Sequence, residues 1–222
     1  MDYKGLTFIS SGESTVKLKQ VGLPLAIRLE YSTDGTQWMS YTIDKKIDLA
    51  DGGFVLFRAG DPSNRVFSRD SENHYQFVIS GSVTAQGNIM SLLDRNFTAQ
   101  VPEYAFFALF KGCTSLLSAP ELPATTLKSG CYCKMFEGCT SLTSAPVLPA
   151  TDLVRDCYLL MFEGCSKLQY VKALFTTEPS KDTTGDWLSG VAASGTFVKS
   201  KDATWNVTGA HGIPQGWKVE TE

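Results

Sequence analysis

The residues best suited to chemistry are cysteines and histidines, and their spacing argues against a metal centre. All six cysteines lie between Cys113 and Cys165. The two histidines, His74 and His211, lie in different regions, and neither has Cys, Asp or Glu neighbours at metal-ligand spacing. We therefore predict no metal site and no cofactor.

The cysteine spacing favours buried thiols over redox chemistry. Cys131 and Cys133 lie on a predicted helix, where side chains two positions apart point about 200° apart, so this pair cannot form a local disulfide. Cys113, Cys139 and Cys165 recur at a constant interval. A small apolar thiol commonly fills a protein core, so we interpret all six as buried free thiols, with at least one disulfide as the alternative.

Catalytic motifs are also missing from the sequence. There is no Gly-x-Ser-x-Gly, phosphate-binding loop or His-Glu-x-x-His pattern. Four carboxylates could supply acid–base pairs, although nothing in their spacing predicts convergence: Asp51, Asp61, Asp70 and Glu72. We favour solvated loops for them over a hydrolase and predict no catalytic residues.

Composition narrows the choice of partner. The 222 residues carry 20 Lys and Arg against 23 Asp and Glu, a net charge of −3 that offers no footprint for nucleic acid. The longest apolar run, Ala105 to Phe110, is far shorter than the roughly 20 residues that span a bilayer. The first five residues lack the apolar core of a signal peptide. We expect neither a nucleic-acid partner nor a membrane-spanning segment.

The central region is an internal repeat with a period of 26 residues. Residues 110–135 and 136–161 are identical at 17 of 26 positions, and a third copy starting at Phe162 decays after Thr177. A degenerate earlier copy precedes residue 110. This periodicity is typical of repeat arrays, whose units stack on one another.

Each copy is predicted to contain a short strand and a helix of about three turns. The side-chain oxygens of Thr125 and Thr126, and of Thr151 and Asp152, could cap the helices, and Gly138 or Gly164 would stop them. Apolar residues recur four apart and would form the buried stripe of each helix: Leu127, Cys131 and Met135, then Leu153, Cys157 and Met161. A strand-plus-helix unit of this length is typical of leucine-rich repeats.

The N-terminal region alternates in polarity, which predicts antiparallel strands. The strand-like segments are residues 6–9, 15–18, 26–31, 37–43, 54–58 and 74–79. Asp34-Gly35 is the residue pair expected in a type I′ hairpin turn, because both central positions of that turn need positive φ. We predict a small β-sandwich.

The repeat motif Met-Phe-x-Gly-Cys-x-x-Leu resembles the core pattern of BspA-like bacterial leucine-rich-repeat proteins. The tail from Gly195 to Lys199 and from Gly212 to Val219 is similar to the segment that often closes such arrays. The N-terminal segment 29–35 with Trp38 resembles the β-domain that precedes them in Bacteroides proteins. The resemblance implies a surface or secreted location and a role in adhesion or protein binding.

Together these observations predict an α+β fold: an antiparallel β-sandwich, then a short leucine-rich solenoid, then a C-terminal cap. The expected boundaries are 1–86 for the sandwich, 87–177 for the repeat array and 178–222 for the cap. Four apolar residues of the tail would shield the last copy: Phe197, Trp205, Ile213 and Trp217.

Two binding surfaces remain open as alternatives. Positions that differ between the full copies, such as Glu121 with Val147, are expected to be exposed. A strip along the short strands is the predicted site for a host or microbial protein: Leu117, Ser118, Thr143, Ser144, Gln169 and Tyr170. The alternative is a glycan site on the N-terminal domain, with aromatic stacking platforms at Tyr31, Trp38 and Tyr41.

Overall fold

The structure is a computed structural model that describes residues 3–60, 63–64 and 66–222. Eight strands precede the repeats: β1 Thr7–Ser10, β2 Ser14–Val21, β3 Leu29–Ser32, β4 Met39–Tyr41, β5 Ile47–Leu49, β6 Phe54–Ala59, β7 His74–Ser80 and β8 Val83–Gln86. Later strands are β9 Leu116–Ser118, β10 Tyr170–Ala173, β11 Thr196–Lys199 and β12 Lys218–Thr221. The helical segments among the described residues are a 3₁₀ helix, Ile89–Leu92, and one α-helix, α1 Lys181–Thr184.

Two sheets form the N-terminal part. One has the order β4-β3-β6-β1-β8-β9, antiparallel except for the β8–β9 pair, and the other is the antiparallel sheet β5-β2-β7. Each of the six predicted strand-like segments overlaps one of these strands. The two sheets meet at Phe77, whose ring centroid lies 4.9 Å from that of Phe8 and 5.4 Å from that of Phe57. Alternating apolar residues therefore bury one face of each sheet.

The predicted α+β class, with strand-plus-helix units in a leucine-rich solenoid, is wrong. Within the described residues the only α-helix is α1, which lies outside both full copies, and the strands form three separate sheets. The segments predicted as helices, around Cys131 and Cys157, are instead continuous series of turns. The apolar stripe is buried as expected, although no helix presents it.

The backbone conformation explains why these segments are not helical. Every fourth residue has a positive φ, between 56° and 73°: Gly130, Lys134, Gly138, Asp156, Leu160 and Gly164. A right-handed helix excludes such residues. Cys133 and Glu137 each donate a backbone hydrogen bond to the carbonyl three residues earlier, at 3.1 Å. The segments predicted as helices are thus series of four-residue turns.

The remaining backbone amides of the turns connect one copy to the next. The N–H groups of Tyr132, Lys134 and Gly138 donate to carbonyls 25 residues later in the next copy, at 3.2, 2.9 and 2.7 Å. An α-helix would use those amides within itself, four residues back. We call this set of inter-copy hydrogen bonds the turn ladder. It satisfies the buried backbone groups that a helix would otherwise satisfy.

Aromatic rings stack along the turn ladder. Phe110 and Phe136 lie 5.3 Å apart at an interplanar angle of 5°, and Phe136 and Phe162 lie 5.4 Å apart at 2°. A parallel column runs from Phe106 through Tyr132 to Tyr158. The 26-residue period therefore places identical side chains directly above one another in the core.

The tail closes the array through a third sheet, in which β10, β11 and β12 are parallel. The four predicted shielding residues, Phe197, Trp205, Ile213 and Trp217, are all buried. The indole N–H groups of Trp205 and Trp217 donate to the carbonyls of Phe175 and Ala192, at 3.1 and 2.8 Å. These hydrogen bonds let large aromatic side chains lie at the end of the core without a buried unpaired donor.

Candidate partner-binding face

The six predicted partner-binding residues lie on the strand side of the copies, and we call them the repeat face: Leu117, Ser118, Thr143, Ser144, Gln169 and Tyr170. Five are exposed, and Ser118 is half-buried, with its hydroxyl donating to the Ala85 carbonyl at 2.7 Å. The backbone N–H of Gln169 donates to the Thr143 carbonyl at 3.0 Å, and Ser144 bridges Tyr170. The structure therefore brings residues 143–144 and 169–170 together.

The first copy is placed differently from the other two. Leu117 and Ser118 belong to β9, which pairs with β8 of the N-terminal sheet. Within the described chain, no backbone hydrogen bond joins residues 116–123 to residues 142–149. On the strand side, the backbones of the first and second copies are therefore unpaired, and we call this boundary the split. On the turn side, the turn ladder joins the same two copies.

A hollow of about 390 Å³ lies at this split. It is lined by Ala119, Pro120, Glu121, Leu122, Pro123, Pro146, Val147 and Pro149, and we call it the proline hollow. Proline has no N–H, so positions 120, 123, 146 and 149 cannot donate to a neighbouring strand. The prolines on both sides therefore supply no backbone donors to this hollow.

Apolar side chains on this side of the molecule face solvent. Leu117 and Tyr170 are each 38% exposed, and Val147 is 46% exposed. Val147 and Glu121 are missing from the predicted site, although the difference between the two copies already marked both as exposed positions. That difference is the signal that could have added them to the site.

The alternative glycan site has less exposed aromatic surface than predicted. Tyr31 and Tyr41 are buried, and the Tyr41 hydroxyl accepts from the Leu18 amide at 2.8 Å and donates to the Lys45 carbonyl at 2.7 Å. Burial raises the pKa of Tyr41 to about 12. Neither tyrosine is therefore an exposed stacking platform.

Trp38 is half-buried, and its ring is already occupied by protein groups. The Arg58 guanidinium lies 3.7 Å from the ring centroid, and the Tyr3 ring lies 5.1 Å away, edge to face. Arg58 is in turn paired with Glu30 at 2.7 Å. A sugar that stacked on this face of Trp38 would have to displace a cation–π contact that the fold supplies.

The hairpin turn before Trp38 is not the predicted type I′ turn. Gly35 has φ of 78°, but Asp34 does not have a positive φ. Instead one Asp34 carboxylate oxygen accepts from the amides of Thr36 and Gln37, both at 2.8 Å, and from the Ser32 hydroxyl at 3.0 Å. These hydrogen bonds, that from Gln37 first, lower the pKa of Asp34 to about 2. The carboxylate stabilises the turn by side-chain capping.

All six cysteines are buried and unpaired, as the core-filler interpretation predicts. The thiols of Cys139 and Cys165 donate to the carbonyls of Phe110 and Phe136, at 3.1 and 3.0 Å. Burial raises the pKa of Cys113 and of Cys165 to about 12. Thiolates are the reactive form, so these side chains are suited to packing rather than to nucleophilic or redox chemistry.

The carboxylates considered for acid–base chemistry act locally in the structure. Asp51 accepts from the Gly12 amide at 2.7 Å, and Asp70 accepts from the amides of Glu72 and Asn73, at 2.9 and 2.8 Å. Asp61 lies outside the described residues. Among the residues that are described, no three His, Cys, Asp or Glu side chains come together as a metal-binding group.

The two histidines contact other elements of the fold and not a metal-binding group. The His74 ring packs edge to face on Phe107, with centroids 5.0 Å apart, and burial lowers the pKa of His74. The backbone carbonyl of His211 accepts from the Thr184 hydroxyl at 2.8 Å. Both residues thus take part in packing between elements of the fold.

Comparison of the chain with protein-family models, curated proteins and solved structures found no match. In the described residues, no helix has the length and apolar character needed to cross a membrane. The case for function therefore rests on the repeat face and the adjoining proline hollow.

Proposed function

We propose that the chain is a protein-binding module of a bacterial surface or secreted protein and that the repeat face contacts its partner. The observation that carries this proposal is that three apolar side chains on the strand side of the copies face solvent: Leu117 and Tyr170 are each 38% exposed, and Val147 is 46% exposed. Aromatic residues with a polar tip are enriched in protein interfaces.

The position of these side chains suits a binding surface. Thr143, Ser144, Gln169 and Tyr170 are held at neighbouring positions by backbone hydrogen bonds, so their side chains are presented without a flexible loop. A preorganised surface binds with a smaller loss of conformational entropy. The repeat motif's resemblance to BspA-like bacterial proteins agrees with adhesion to a host or microbial protein.

A binding screen with matched variants tests this function. Candidate host and microbial proteins would be titrated against the wild-type chain, with a glycan array in parallel. We expect Tyr170→Ala to weaken binding of a protein partner by at least about tenfold, as a central aromatic contact does. Leu23→Ser is the matched control, since Leu23 is exposed and lies outside the repeat face.

Two results would count against the proposal. Glycan binding without binding of any protein would favour the alternative site, and loss of that binding in a folded Trp38→Ala variant would place it there. Equal weakening by Tyr170→Ala and Leu23→Ser would remove the repeat face from the interaction.

The cellular location of the protein is tested separately. Protease is added to intact producing cells, and lysed cells are the control. Cleavage on intact cells is the expected result for a surface protein. Protection until lysis would contradict the surface location.

A further inference from the structure

Strand β12 is an edge of the third sheet, and all four of its residues are exposed. In the described part of the chain, its only strand partner is β11. The N–H of Lys218 donates to the Gly195 carbonyl, on the β11 side, at 2.9 Å. The N–H of Glu222 donates to the Lys199 carbonyl of β11 at 3.1 Å. Successive residues of a strand direct their backbone groups to opposite sides, so those of Val219 face away from β11, toward solvent.

The side chains of β12 also differ between its two faces. Lys218 and Glu220 lie on one face, with their charged groups 2.6 Å apart and their side chains 72% and 45% exposed. Val219 lies on the other face, in a row with Val171 and Phe197. Those two side chains are fully buried, whereas Val219 is 46% exposed. The apolar row of the third sheet is therefore open at its β12 end.

The charges of β12 are complementary to themselves in one register. Charges protect an edge strand from self-association when like charges come to lie opposite each other. Two antiparallel β12 strands can be centred on each of the four residues of the strand. Three of these registers place Lys218 on Lys218, Glu220 on Glu220, or Glu220 on Glu222. In the fourth, centred on Val219, each Lys218 lies opposite Glu220 of the other strand and the two valines meet.

We propose that β12 pairs antiparallel with β12 of a second copy of the chain, centred on Val219, so that two three-stranded sheets become one. The backbone groups of Val219 that face away from β11 then exchange hydrogen bonds with the same residue of the second copy. The two Val219 side chains continue the buried row of Val171 and Phe197 across the interface. Two pairs of opposite charges, Lys218 with Glu220 and the reverse, fix the register.

Such a dimer carries two repeat faces on one side. Tyr170 lies in the same row as Lys218, across Thr196 of β11, and both side chains are exposed. Residues directly opposite each other in a sheet share a face, so this face points the same way in both copies. With neighbouring strands about 4.8 Å apart, the two Tyr170 residues lie roughly 25 Å apart. A partner with repeated sites would bind both copies at once and therefore more tightly. This consequence rests on the proposed function, whereas the dimer does not.

Sedimentation equilibrium of the full chain tests the dimer. The interface is short and therefore weak, so the mass should rise from that of one chain toward that of two between about 10 µM and about 1 mM. Lys218→Glu and Glu220→Lys each place like charges opposite one another twice, and each should weaken association by about tenfold or more. Lys46→Glu is the matched control, because Lys46 also forms an exposed ion pair with an acid two residues later, Asp48, away from β12. It should leave association unchanged.

Mixing the two β12 variants gives the sharper test. Between Lys218→Glu and Glu220→Lys chains, the two introduced residues lie opposite each other, and so do the two native ones, so opposite charges meet twice again. An equimolar mixture should associate about as strongly as the wild type, although neither variant does so alone. Three results would overturn the inference: a single-chain mass at every concentration, association that either charge change leaves intact, or no recovery in the mixture.

Discussion

Gly130→Ala distinguishes the turn ladder from a helix, because the two structures predict effects of opposite sign. In the interior of a helix, alanine is more stable than glycine by about 1 kcal/mol. In the structure Gly130 has φ of 63°, a left-handed conformation that costs an L-residue roughly 1–2 kcal/mol. The substitution should therefore destabilise the chain.

A steric contact adds to the strain at this position. A Cβ atom on Gly130 would lie 2.5 Å from Cε1 of the Tyr104 ring, which is closer than van der Waals contact allows, so the ring must move. Gly112 is the matched control, since it has φ of 72° and nothing within 4 Å of an added Cβ. We expect a loss of about 1 kcal/mol for Gly112→Ala and about 2 kcal/mol or more for Gly130→Ala.

Urea unfolding followed by tryptophan fluorescence measures both losses. With an m-value of about 2 kcal/mol/M, the midpoint should fall by about 0.5 M for Gly112→Ala and by about 1 M for Gly130→Ala. Replacing Tyr104 by Ala as well should bring the Gly130 loss down to that of Gly112. A midpoint that rises in Gly130→Ala would refute the turn ladder and restore a helix at this position.

Three further predictions follow from the core. Phe136→Ala removes a buried ring stacked between two others and should cost about 3–5 kcal/mol in urea unfolding. The pKa of His74 is below 6.5 in the folded chain, so unfolded chains bind the proton more readily. Stability should fall as pH drops below 6.5, and His74→Phe should reduce that slope. A thiol reagent should count six groups in the unfolded, unreduced chain and few in the native one, whereas four or two would indicate disulfides.

The sequence predicted which residues are buried better than it predicted the backbone that buries them. The repeat period identified the columns of phenylalanine and cysteine, and the stacked rings of Phe110, Phe136 and Phe162 occupy one such column. Polarity alternation likewise located the N-terminal strands. Both patterns reflect the polarity of the side chains, which can be read directly from the sequence.

The helix prediction failed because a spacing of four was taken for the helical period of 3.6. On a helix, residues four apart drift by about 40°, so Leu127 and Met135 would already differ by about 80°. In a series of four-residue turns the spacing of four has no drift, and Cys139 continues the same buried row. Glycine at position 130, in the middle of the predicted helix, was the local signal against it.

For the candidate site, the sequence indicated which side chains are exposed but not how the backbones of the copies pair. Exposure of the repeat face followed from comparing the two copies, but the split between them depends on where each backbone N–H points. Pro120 and Pro146 cannot donate a ladder hydrogen bond, which limits the strands of both copies. The unpaired boundary between two nearly identical copies becomes visible only when the hydrogen bonds on both sides are known.

The turn ladder explains how such a boundary can persist in a stable array. Between the first and second copies, the amides of Gly112 and Lys134 donate to carbonyls of the second copy at 2.7 and 2.9 Å, and Lys111 pairs with Glu137 at 2.8 Å. These contacts and the stacked rings fix the spacing of the copies from the turn side alone. The strand side of this boundary contributes packing instead, because Leu116, Leu122 and Leu142 are buried in the core although no backbone hydrogen bond of the described residues joins the two copies there.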